Sequence, residues 1–292
     1  MIRFALASLA LSLTTASMAL AEDLLDTIPV EPGGTLRVDL DRGDVTVRSH
    51  DVDAVRIEAH AHGLSALLGG FELQREGNDV HLQGLFRWSF LLVPWGPRVT
   101  VDAWVPQRYS VAILTRGGHV NLSDLEGSAV AKTSGGRIDL DSIRGPVSVD
   151  TSGGAIQIAH VLGSVVAHTS GGRVDIAEID GNVEARTSGG AVDVRDVSGR
   201  IEATTSGGAI EASFRDEPSG ILQTSGGRIE VTFPATASVD LDAETSGGTV
   251  SVEHALVGAG EDDRRRVVGK INGGGALLRL RTSGGNIVVR AS

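Results

Sequence analysis

Residues 133–150 read TSGGRIDLDSIRGPVSVD, and the next stretch, 151–168, reads TSGGAIQIAHVLGSVVAH. The word Thr-Ser-Gly-Gly returns at Thr133, Thr151, Thr169, Thr187, Thr205, Thr224, Thr245 and Thr282, with Thr-Arg-Gly-Gly at Thr115. Every step from Thr115 to Thr205 is 18 residues, and the next two are 19 and 21. Self-similarity at a fixed period marks a chain assembled from stacked units.

Aligned at that offset, the repeats show four apolar columns. Ile138, Ile156, Val174 and Val192 form the first, and Leu140, Ile158, Ile176 and Val194 the second. Val147, Val165, Val183 and Ile201 form the third; Val149, Ala167, Ala185 and Ala203 form the fourth. Columns one and two, like three and four, stand two residues apart, which is the spacing of one face of a strand. Each repeat is therefore two short strands. Ser-Gly-Gly makes the turn before the first, where glycine gives access to positive φ and close approach. On this reading both Gly153 and Gly154 sit where a Cβ is poorly tolerated. The second turn is an apolar residue, a variable one and glycine, as in Ile143 and Gly145, with the apolar member turned inward at the corner.

A single repeat buries four or five small aliphatic side chains, worth about 1.5–3 kcal/mol each. Ordering its backbone costs about 1–2 kcal/mol per residue. Alone it does not fold, but equivalent strands of successive repeats pair in parallel about 4.8 Å apart and bury a continuous core. The expected fold is all-β: a right-handed, single-stranded parallel β-solenoid of 18-residue, two-strand coils, because parallel crossovers are overwhelmingly right-handed. An antiparallel meander in a sandwich is the alternative. The near-identical columns favour the solenoid.

The first 21 residues have the order of a secretory leader: Arg3, an apolar run from Phe4 to Leu13, then Ala19-Leu20-Ala21 before Glu22. The chain divides on this reading into a leader (1–21), an irregular β cap (22–110) and the repeat domain (111–292). Within the cap, residues 33–47 carry Leu36, Val38, Val45 and Val47 on the four columns and read as a degenerate first coil. A hairpin is expected to turn at Gly77-Asn78. A strand over Val99–Pro106 should lead into the array. The charged run Glu261–Arg266 reads as a solvated loop, after which the frame resumes at Asn272.

The 292 residues carry a net charge of −11, or −12 without Arg3, and only 3% are aromatic. No basic stripe invites nucleic acid. With no cysteine there is no lipobox, disulfide or thiolate metal site. After the leader no apolar run is long enough for a spanning helix. The expected product is periplasmic or secreted, not lipid-anchored, with no cofactor.

The GG-x-L-x-V opening, the V-x-V-x-x-P strand ending at Pro106, the repeated T-S-G-G-x-[IV], Ile271-Asn-Gly-Gly-Gly275 and the final R-T-S-G-G together resemble the bacterial β-strand-repeat family called "putative adhesin". The resemblance spans nearly the whole chain after the leader. It implies an exported or envelope-associated parallel β-solenoid without established chemistry. Residues 85–96 depart from its pattern.

Candidate chemistry lies on the outward positions. Asp139, Gln157, Asp175, Asp193, Glu211 and Glu230 form a row, preceded by Arg137, Ala155, Arg173, Ala191, Ala209 and Arg228. Stacked carboxylates repel, so the row reads either as a cation or glycan surface or as a solvated face softened by its arginines. The pairs Asp139/Asp141 and Asp193/Asp196 resemble a glycosidase couple but have no expected cleft. His60 and His62 share a strand face without an evident third metal ligand, so the expected metal count is none. Phe86, Trp88 and Phe90 alternate with Trp95 nearby, reading as a cap over the core end or as a sugar-stacking patch. The candidate binding surface is thus Asp139, Asp175, Asp193, Arg137, Arg173, Trp88 and Trp95. Function follows as a non-enzymatic adhesin-like or scaffolding surface for a glycan or envelope protein. A polysaccharide-acting enzyme or a glycan or metal sensor is the alternative.

Overall fold

The computed structural model describes residues 17–19, 23–62, 69–86, 98–253, 255, 257 and 264–292. Among these the secondary structure is all strand. Two long sheets face each other across one continuous aliphatic core. In the repeat at residues 133–150, the strand Ile138–Arg144 (β12) lies in one sheet and Val147–Thr151 (β13) in the other. Numbering follows the chain, so β9 (Ser110–Thr115) through β22 (Ile229–Phe233) alternate between the sheets.

Successive repeats pair in parallel, in the register set by the sequence period: Val120 faces Ile138, which faces Ile156, then Val174, then Val192. All four apolar columns are buried. The two-sheet coil is the expected solenoid, and the sandwich alternative fails on the parallel pairing. Ile143, Val161, Ile179 and Val197 fill the corner as expected.

The two glycines of the repeat word are not equivalent, which corrects the expectation for Gly153. The first glycine has room: a Cβ on Gly153 would meet nothing closer than 3.8 Å, and its φ is not left-handed. The second has none, because a Cβ on Gly154 would stand 1.8 Å from the carbonyl oxygen of Gly136. Only Gly154 of this pair is sterically fixed, and the cause is coil-on-coil contact of bare backbone. The threonine completes the joint. Thr151 is buried, its Oγ1 donating to Gly136 O at 3.1 Å and accepting from Gly154 N at 3.2 Å. The same pair of bonds recurs at Thr169, Thr187, Thr205 and Thr224. One hydroxyl thus satisfies two buried backbone groups that the ladder leaves out.

The cap holds β2 (Asp23–Pro29), β3 (Thr35–Leu40), β4 (Asp44–His50), β5 (Ala54–His62), β6 (Gly69–Glu76), β7 (Asp79–Phe86) and β8 (Arg98–Pro106), and β1 (Ser17–Ala19), from within the stretch read as a leader, adds to its edge. The coil read from residues 33–47 is β3 with β4. It is second in the stack rather than first, because β7 and β8 pair with it in parallel on its outer side. Antiparallel strands close that end: β6 on β7, turning at Gly77-Asn78 as expected, with β1 on β6, and β5 on β8 with β2 beyond. Tyr109 ties the cap hairpin to the array, its buried hydroxyl donating to Asn78 O. Burial, helped by the charge of Asp79, pushes that phenol up to about 12.

The other end departs from sequence order. β23 (Val239–Thr245) and β24 (Val250–Glu253) do not stack on β21 (Gly220–Thr224) and β22. Instead β26 (Ala276–Thr282) lies between β21 and β23, and β27 (Ile287–Ala291) between β22 and β24. The threonine joints follow space, not sequence: Thr282 donates to Gly227 O, and Thr245 donates to Gly285 O. The 21-residue step to Thr245 is therefore not a stacking step. β25 (Arg266–Ile271) runs antiparallel on β23 at the sheet edge, and Asn272 pins the crossover by donating to Ala235 O and Ala237 O.

Candidate functional site

The expected binding row falls on the outer face of the sheet that contains β12. Arg137 and Asp139 flank the buried Ile138, two residues apart on one strand face. Arg137 Nε donates to both Asp139 oxygens at 2.6 and 2.8 Å, and its other arm reaches Gln157 in the next coil. Two coils on, Arg173 donates to Asp175 at 2.7 Å and to Asp193 at 3.1 Å, with Arg195 at 3.5 Å from the same Asp193 oxygen. Arg228 pairs with Glu211, and Arg290 with Glu230.

The structure therefore brings Asp139, Asp175, Asp193, Arg137 and Arg173 together as a ladder of ion pairs. A row of free carboxylates would hold a cation. A row already occupied by guanidinium groups presents alternating charge instead, with both signs paired within and between coils. Asp193 is the one buried carboxylate among the described residues, 7% exposed, and burial pushes its proton affinity above the ordinary range, with the Asp175 and Glu211 charges adding to the effect. Arg195 and Arg173 oppose that shift.

A second row, beside the first, escaped the sequence reading. Asp124, Ser142, His160, Glu178 and Asp196 all adopt left-handed φ, between 54° and 62°. Each puts two outward residues in succession before the inward corner residue. The signal was present: Leu140 and Ile143 are three apart, a break in strand alternation that one left-handed residue accommodates. His160 bridges coils on this row, with Asp141 at 2.7 Å on Nδ1 and Glu178 at 3.4 Å on Nε2. The Asp141 hydrogen bond, then the Glu178 charge, raise its affinity for a proton.

The proposed carboxylate couples do not form a catalytic pair. Asp141 is engaged by His160 and Ser142, while Asp196 is held by Arg215 at 2.9 Å, whose hydrogen bond keeps it below the usual carboxylate range. His60 and His62 do share a face, ring centroids 6.4 Å apart, but His60 binds Asp23 at 2.7 Å and His62 lies 3.3 Å from the Thr100 hydroxyl. No group of three or more metal-ligating side chains converges among the described residues. Trp88, Phe90 and Trp95 lie outside the described residues, and so does the Phe86 side chain. Among the described residues no helix is long and apolar enough to cross a membrane.

Among curated proteins none matches the chain. Three solved structures match the chain. One described as a "putative adhesin" from Bacteroides fragilis is 12% identical, with a TM-score of 0.41 over 92% of this chain and 97% of its own. Another so described, from Parabacteroides distasonis, is 10% identical, with a TM-score of 0.40 over 92% and 98%. A "putative cell adhesion protein" from Clostridium sporogenes is also 10% identical, with a TM-score of 0.24 over 92% and 100%. The family model for Toastrack DUF4097 matches residues 35–290, from the first strand of the coil at 35–50 to the end of the inserted one, and the chain belongs to that family.

Proposed function

We propose that this chain is an exported, non-enzymatic solenoid that serves as an adhesive or scaffolding surface in the cell envelope. The observation that carries the reading is the outer face of paired charges, which repeats along the coils and is built on strands with no long inserted loop from β9 to β22. Such a face offers a ligand many weak, evenly spaced contacts, and linked contacts raise avidity without any single deep site. The leader-like order of residues 1–21 supports export. Names given to the similar solved structures agree with adhesion.

Excising Thr151–His168 tests this. The cut joins Asp150 to Thr169 and leaves every column in register, because one whole coil is removed. The shortened protein should unfold cooperatively and keep most binding on a glycan array. Excising nine residues instead turns inward side chains outward and should abolish the cooperative transition. The same purified chain, run on a polysaccharide hydrolysis and lyase panel, should show no turnover. A whole-coil variant that folds but no longer binds, or any turnover, overturns the proposal.

A further inference from the structure

The outer faces of the two sheets are built differently. On the sheet that contains β12, charges pair across coils. On the other sheet, β3, β9, β11 (Ala129–Thr133), β13, β15 (Val165–Thr169) and β17 (Val183–Arg186) lie side by side in that order. Their outward residues make two rows along the solenoid. The first reads Arg37, Ala112, Val130, Ser148, Val166, Glu184, and the second Asp39, Leu114, Lys132, Asp150, His168, Arg186. The side chains of Arg37, Asp39, Lys132 and Asp150 make no hydrogen bond or ion pair among the described residues, and Leu114 between them is 50% exposed. Charges without partners beside exposed apolar side chains suit a protein surface that meets another one.

The order of the charges says which. A twofold axis parallel to the strands and midway between β11 and β13 lays this face on the same face of a second copy. Each row then lies over its own counterpart with the strand order reversed. Lys132 meets the partner's Asp150, Arg37 meets the partner's Glu184, and Asp39 meets the partner's Arg186, every contact being made twice. Glu184 and Arg186 pair with each other within the chain, so with Arg37 and Asp39 opposite they close a ring of alternating charge. Between the charged contacts Ala112 meets Val166, and Leu114 meets His168. Moving the axis onto β11 would put Lys132 on Lys132, and moving it onto β13 would put Asp150 on Asp150. Only the midway position matches every charge. From β7 to β19 (Ile201–Thr205) the face has eight strands. At about 4.8 Å per strand and about five residues of 3.3 Å each, it covers roughly 600 Å² per copy. Two such faces bury about 1,200 Å², the lower end of the range for specific association.

We propose that this face joins two copies of the chain into a twofold dimer with antiparallel solenoid axes. The dimer turns the ion-paired face of each copy outward on opposite sides, doubling the repeated surface.

The test uses Arg37 and Glu184, which lie five strands, about 24 Å, apart within one chain and so touch only between copies. Sedimentation equilibrium of the chain beginning at Glu22 should show a dimer at micromolar concentration, weakened by salt because exposed pairs are screened. Arg37→Glu and Glu184→Arg should each weaken it about a hundredfold or more, since each change places like charges at both symmetric contacts. Arg48→Glu, on the opposite face, should leave it intact. All three should melt like the parent. Mixing the Arg37→Glu chain with the Glu184→Arg chain should restore the dimer, because every contact between the two again joins opposite charges. A monomeric parent at low salt overturns the proposal. So does a dimer that Arg37→Glu leaves unchanged, or a mixture of the two folded variants that stays monomeric.

Discussion

A methyl group on Gly154 would stand 1.8 Å from Gly136 O, whereas one on Gly153 would stand 3.8 Å from Ser134 O. The carbonyl belongs to rigid stacked backbone and has nowhere to go. Gly154→Ala should therefore cost about 2–4 kcal/mol by forced displacement of packed chain. Gly153→Ala should change the midpoint of urea unfolding little, and equal losses at the two sites would remove the close-approach account. Two adjacent glycines look alike in a sequence, because what separates them is the neighbouring coil. The threonine before them contributes differently. Thr151→Val keeps the shape but leaves Gly136 O and Gly154 N without their shared partner. About 1–3 kcal/mol per orphaned group should be lost, while Thr151→Ser, which keeps the hydroxyl, should lose far less in the same urea titration.

Strands were legible wherever side chains alternate. Ile138, Leu140, Val147 and Val149 declare their faces in the sequence, and all four are buried. What stayed hidden is carried by backbone: the left-handed residue inside β12 and its equivalents, since serine, histidine, glutamate and aspartate at one position share a dihedral rather than a chemistry. The outward row was legible as acidic, but its pairing was not, because Arg137 reaches across a coil to Gln157. The histidine member of the left-handed row gives a pH prediction. His160 has its proton affinity raised above the ordinary 6.5 by Asp141 and Glu178. Since the folded value is the higher one, its contribution to stability is complete below about 6.5, and it fades as pH rises through the folded value. An NMR titration of the His160 ring should give a midpoint above 6.5, and Asp141→Asn should bring that midpoint down. A midpoint unmoved by Asp141→Asn would contradict the bridge.

Across the whole molecule, the coils at the two ends follow one plan. The coil β3–β4 lies inside β7–β8, and β26–β27 lies inside β23–β24, with antiparallel strands outermost at the cap end and β25 antiparallel on β23 at the other. The stack from β9 to β22 could be read from its period, but this exchange of places could not, since nothing in Thr282-Ser-Gly-Gly says that its neighbours are Thr224 and Thr245. Removing residues 276–292 should accordingly harm the protein more than removing an interior repeat. It empties a rung between two others and strips the partners from Leu222, Val231, Leu241 and Val252. The truncated chain should bind a hydrophobic dye and lose its single sharp melting transition; a sharp transition near that of the intact chain would count against the interlocked end. Timing follows from the same arrangement. On the ribosome, or emerging through a translocation pore, the segment Ala276–Ala291 arrives after both of the rungs it separates. The earlier rungs must wait with a vacancy or close wrongly on each other. Arrival order thus acts as a clock that keeps one end of the chain pliable until delivery is finished.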